Sequence, residues 1–173
     1  MSAVAALLLA ASGSPDLLLA RDAFAGLCGD LSSEAAVAKA VAADGWAEVA
    51  PDPARGIGRY HAMAAAWKDW RGTVFRSYHK TIGGRTIDAL VFDVRSEAEV
   101  GAGLHCDIWF DDAQVASTEG LTRWSGKEPT SERDRFLQWR EPAVFATHDV
   151  TTVEIGPRGA VHIWSINGPE TRK

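Results

Sequence analysis

In the stretch "SYHKTIGGRTID", Ser77, His79 and Asp88 bring together a serine, a histidine and an acid. These are the types that make a nucleophile, a base and the carboxylate that orients it. Gly83-Gly84 lies between two β-rich runs, the signature of a two-residue hairpin. If Ile82 pairs with Arg85, then Phe75 faces Phe92, Ser77 faces Leu90 and His79 faces Asp88. The three polar side chains then share one face. Residues i and i+2 of a strand stand about 7 Å apart, too far for a hydroxyl to reach an imidazole. No G-x-S-x-G elbow occurs to expose a strained serine. The bland reading is a polar hairpin end carrying a His–Asp cross-strand pair.

A second set lies in "LHCDIWF". Strict alternation puts Leu104, Cys106, Ile108 and Phe110 on one face of a strand and His105, Asp107 and Trp109 on the other. Imidazole and carboxylate suit zinc or another divalent metal, but no H-E-x-x-H or comparable spacing supports a metal site, and no cofactor is assigned. The expectation is a solvent-facing polar face on which a partly exposed Trp109, flanked by His105 and Asp107, anchors a ligand or partner; the alternative is a second small core beneath a covering helix. His61, His148 and His162 stand alone in their segments and receive no role. "RGIGR" offers backbone N–H groups and two arginines to an anion, or is simply a flexible turn. The chain is rich in tryptophan, with seven. Trp46, Trp67 and Trp70 read as packing residues, and Trp164 shares a strand face with His162 and Ile166.

The elements that must position these residues follow from periodicity. Ser14 as N-cap and Pro15 at the first helical position open a helix whose Leu17, Ala20, Phe24, Leu27 and Cys28 fall on one face. Ser33 opens a second, with Val37, Ala40 and Val41 inward and Gly45 suited to the left-handed position past its end. "PDPARGIG" (51–58) reads as a loop. A third short helix follows in "HAMAAAWKDW", with Met63, Trp67 and Trp70 on one face. After the first hairpin and the Leu104–Phe110 strand, the pattern predicts a helix from about Asp112 to Ser125, then a loop or single turn over "KEPTSERDRF". A second hairpin joins "FATHDVTTVEI" to "AVHIWSI" through Gly156-Pro157-Arg158-Gly159. The expected class is α+β: two short N-terminal helices packed on a mostly antiparallel sheet, with an inserted helix.

Both cysteines fall on apolar faces, Cys28 on its helix and Cys106 on its strand. A helix packed on a sheet would let the sulfurs meet. Closing a loop of roughly eighty residues stabilises by up to about 4.5 kcal/mol in the chain-entropy model. The alternative is a pair of buried thiols acting as small hydrophobes in a cytoplasmic protein. Phe24 and Cys28 in F-x-x-x-C, followed by the alanine-rich Ala36–Ala43 and then Gly45-Trp46, resemble the N-terminus of small exported bacterial proteins of unknown function. The resemblance implies an exported α+β domain with a second cysteine in a later strand, here Cys106. It supplies no catalytic residues.

Composition sets the outer limits. With 46% hydrophobic and 24% charged residues, 173 residues suffice for one packed domain. A net charge of −5 and no basic stripe argue against nucleic acid and anionic membrane surfaces as partners. No apolar window is long enough to span a bilayer. Residues 1–13 read as a signal peptide or a disordered N-terminus: "AVAALLLAAS" has an export-like apolar core but no preceding Lys or Arg. Residues 14–173 form the single domain. The leading expectation is a non-catalytic periplasmic or secreted domain that binds a protein or small ligand through His105, Asp107 and Trp109. The alternatives are a small hydrolase or metal-dependent enzyme using Ser77, His79, Asp88 and His105, which requires convergence within about 3–4 Å, and a cytoplasmic accessory protein with free thiols.

Overall fold

The structure, a computed structural model, describes residues 14–67, 70, 73–95, 102–119, 121, 124, 126–140 and 143–168. The reading of residues 1–13 lies outside them. Pro15 begins α1 (Pro15–Cys28), and the stripe Leu17, Ala20, Phe24, Leu27 and Cys28 is buried throughout. Ser14 stands at the N-cap position without a side-chain capping bond, and its carbonyl accepts the Leu18 N–H at 3.1 Å. Ser33 does cap α2 (Glu34–Ala43), accepting the Ala36 N–H at 3.1 Å. Past the end of α2, Gly45 takes φ +72°, and the Trp46 N–H reaches the Val41 carbonyl.

Among the described residues the chain then runs β1 (Ala47–Glu48), α3 (Gly56–Ala66), β2 (Phe75–Ile82), β3 (Arg85–Val94), β4 (Gly103–Phe110), β5 (Ser131–Arg133), β6 (Phe136–Arg140), β7 (Val150–Ile155) and β8 (Val161–Asn167). The strands form one eight-stranded sheet in the order β1-β2-β3-β4-β8-β7-β6-β5, with every neighbouring pair antiparallel. The α+β class holds. The hairpin register is the expected one, with Phe75 opposite Phe92, Ser77 opposite Leu90 and His79 opposite Asp88.

Leu104, Cys106, Ile108 and Phe110 join Ile87, Ala89, Val91, Val153 and Ile163 in the main core, which α1 covers. At the end of α1, Cys28 is disulfide-bonded to Cys106 on β4. The opposite face of the sheet carries a second core, in which Leu90, Phe92, Val94 and Trp109 meet Ile57 and Ala64 of α3 together with Trp70. Central β4 is therefore covered on both sides, and all eight of its residues are buried.

Four expectations need correction. The described residues of 112–125 include no helix. Their amides are held from elsewhere: Gln114 N–H donates to the Asp16 carboxylate at 2.8 Å, Val115 N–H to the Gly159 carbonyl at 3.1 Å and Thr118 N–H to the Asp134 carbonyl at 3.2 Å. Those long-range partners override helix propensity, and burial alternates through Ala113, Gln114, Val115 and Ala116 as in an extended chain. The inserted helix is α3 instead, and it begins inside the expected 51–58 loop. Its inward residues are Ile57, Gly58 and Ala64, while Met63 and Trp67 are 46% and 45% exposed, so Trp67 is not a core residue. Finally, "KEPTSERDRF" contains β5, a three-residue edge strand whose Glu132 and Arg133 face solvent, the usual protection of a sheet edge.

Candidate functional site

His105, Asp107 and Trp109 do share one face of β4, but that face is closed. They are 4%, 2% and 7% exposed. The helix α3 lies over this part of the sheet. Tyr60 of α3 packs on Phe92 and Trp109 with ring centroids 6.4 and 5.1 Å apart, and His105 stacks on Phe92 at 4.4 Å. The face is thus the second core of the alternative reading rather than an open one, and Trp109, 7% exposed, offers a partner little surface.

His162, to which sequence reasoning gave no role, supplies a polar contact of this face. Its Nε2 donates to Asp107 Oδ1 at 3.1 Å, its ring stacks under Trp109 at 4.1 Å, and its Nδ1 stands 3.9 Å from the Glu154 carboxylate. Burial, with Asp107 and Glu154 nearby, pushes the Tyr60 phenol well above its ordinary value. A carboxylate that orients an imidazole is half of an acid–base apparatus. Among the described residues, however, no hydroxyl or thiol is hydrogen-bonded to His162.

The hydrolase set does not converge. Asp88 lies beside Trp109 in the ladder and His105 beside Phe92, four residues away along β4, about 13 Å at strand rise. Ser77 is buried opposite Leu90. The Asp88 carboxylate accepts from Arg55 Nε. Burial pushes the Asp88 carboxyl above its usual range despite that bond. Arg55 also faces Asp111 at 4.0 Å and Asp112 at 3.4 Å, an ion cluster that fixes the start of α3. "RGIGR" opens α3 rather than forming a flexible turn, and the anion its backbone meets is the chain's own: Asp111 Oδ2 accepts the Gly56 N–H at 2.7 Å. Among the described residues no group of three or more His, Cys, Asp or Glu side chains is placed to hold a metal ion.

His148 is also more than an isolated residue. Its Nε2 donates to the Cys28 carbonyl at 2.8 Å, Nδ1 accepts from the Thr151 hydroxyl at 3.1 Å, and Ser165 Oγ lies within reach of Nδ1 and the Val150 carbonyl. Burial pushes its pKa down to about 4, so the ring is neutral at pH 7. Thr151 and Ser165 are fully buried, which makes this network a structural one.

A place open to a ligand lies elsewhere among the described residues. A cavity of about 580 Å³ lies between α2 and the β2–β4 side of the sheet, on the face that α1 covers further along. Val37 and Ala38 of α2 form one wall, and Tyr78, Val91 and Leu104 form the apolar floor. At the rim, Arg95 donates to Asp93 at 3.0 Å and to Glu34 at 3.2 Å, tying the first turn of α2 to the end of β3. Val74, 69% exposed, and Arg76 complete the mouth. Tyr78 is 6% exposed as a residue, and its hydroxyl is not among the fully buried polar atoms that lack a partner. Burial and the neighbouring Glu48 raise its pKa.

Sequence reasoning missed this site because no motif marks it. The register gave Tyr78 and Val91 one face, but nothing said which face α2 covers. No protein-family model, curated protein or solved structure matches the chain.

Proposed function

We propose that this chain is a non-catalytic domain that holds a small organic molecule in the cavity beneath α2, and that it works in an oxidising compartment, periplasmic or extracellular. The observation that carries the reading is the cavity itself. Its volume falls in the range of about 300–1,000 Å³ typical of ligand sites. It combines an apolar floor with the phenol of Tyr78 and charged groups at the rim. The Cys28–Cys106 disulfide supports the compartment, since such bonds persist where thiols are not kept reduced. No helix among the described residues is long and apolar enough to cross a membrane.

The test is fluorescence titration with N-phenyl-1-naphthylamine, a neutral aromatic probe that brightens in apolar sites. The wild type is expected to bind it saturably. Ala38→Trp should abolish binding while leaving the melting temperature within a few degrees, because Ala38 is exposed on α2 and its new side chain would only fill the mouth. Equal binding by both proteins removes the reading.

A further inference from the structure

We infer that the cavity selects an organic anion: a molecule with one carboxylate or sulfonate group on an aromatic or aliphatic body, its charge held by Arg76 and its polar end met by the Tyr78 hydroxyl. This rests on the cavity being a ligand site and adds the chemical class of what enters it.

The charges at the mouth decide the sign. Both lining carboxylates, Glu34 and Asp93, are engaged by Arg95. Among the described residues Arg76 pairs only loosely: the Glu48 carboxylate stands at 4.0 Å, and both side chains are more than half exposed. An exposed pair at that distance is worth little, so Arg76 remains able to meet an incoming anion. Arg76 and Tyr78 are two positions apart on β2, and both line the cavity. Their side chains therefore stand side by side, about 7 Å apart at the backbone.

Tyr78 supplies the second, independent observation. Its phenol lines the same cavity as Arg76, and its hydroxyl can donate to a bound group. Its O–H donor beside a guanidinium matches an oxyanion, which accepts from both. The lining beyond them is apolar, with Val91 and Leu104 in the floor and Val37 in the wall, and it fits the hydrocarbon part of the same molecule.

Two probes separate this inference from the reading beneath it. 8-Anilinonaphthalene-1-sulfonate differs from N-phenyl-1-naphthylamine by the sulfonate alone. On the full-length, disulfide-intact protein the anionic probe is expected to bind at least tenfold more tightly. Arg76→Gln should bring the two probes to within about threefold of each other by weakening only the anion. Tyr78→Phe, which removes only the hydroxyl, should weaken the anion severalfold and leave the neutral probe unchanged. If both probes bind equally to the wild type, or if Arg76→Gln leaves their ratio unmoved, selection for an anion is overturned and the cavity stands. If neither probe binds, or if Ala38→Trp binds both as the wild type does, the ligand site fails and the inference with it.

Discussion

His148 donates its Nε2 proton to the carbonyl oxygen of Cys28 at 2.8 Å, across 120 positions of sequence. The same Cys28 carries the disulfide to Cys106, and Cys106 lies opposite Ser165, whose hydroxyl returns to His148. The end of α1 is thus tied to the centre of the sheet by a covalent bond and a neutral imidazole together.

That arrangement predicts sensitivity to acid. Burial holds the His148 pKa down to about 4, whereas in the unfolded chain it lies near about 6.5. Between these values the unfolded chain binds a proton that the folded one refuses. Stability from this group is full above about pH 6.5 and is lost as pH falls toward 4, reaching about 3 kcal/mol. Urea unfolding at a series of pH values checks it. His148→Gln should be less stable at neutral pH and should lose about one proton of pH dependence in that window; an unchanged slope would assign the acid sensitivity to other groups.

The disulfide should dominate the remaining stability of this corner. Replacing both Cys28 and Cys106 by alanine is expected to lower the unfolding free energy by about 2–5 kcal/mol, read from denaturant midpoints. Both cysteines are fully buried, so dithiothreitol should reduce the native protein slowly and the urea-unfolded protein quickly. Thiol counting in denaturant on protein from its native host should find both cysteines blocked. Two free thiols would contradict the bond and the oxidising compartment alike.

Gly58 tests how α3 is seated. In most helix interiors Gly→Ala stabilises by about 1 kcal/mol. Here a Cβ would lie 2.0 Å from the Asp52 carbonyl oxygen, a backbone atom that cannot swing aside. Gly58→Ala is therefore expected to destabilise by about 1–3 kcal/mol, visible as a fall in melting temperature. Stabilisation by this substitution would show that the 51–58 segment packs differently.

Local signals were legible in the sequence where the information was itself local. The stripe from Leu17 to Cys28 and the Gly83-Gly84 turn fixed α1 and the first hairpin to the residue. The meeting of Cys28 with Cys106 followed from two apolar faces. The extended course after Asp112 was not legible, because Asp16, Asp134 and Gly159, which hold its amides, are distant in sequence. The same holds for the polar face of β4. Alternation correctly placed His105, Asp107 and Trp109 together, but only tertiary packing decides that α3 covers them. The cavity depends on the angle at which α2 leaves the sheet, which no residue pattern encodes.

The cavity beneath α2 is tested most directly by a ¹⁵N–¹H correlation spectrum of the labelled protein titrated with 8-anilinonaphthalene-1-sulfonate. The predicted result is a saturable set of shifts centred on the amides of Val37, Ala38, Tyr78 and Val91, absent in Ala38→Trp. Shifts centred instead on His162 and Trp164, or no saturable shifts at all, would contradict it.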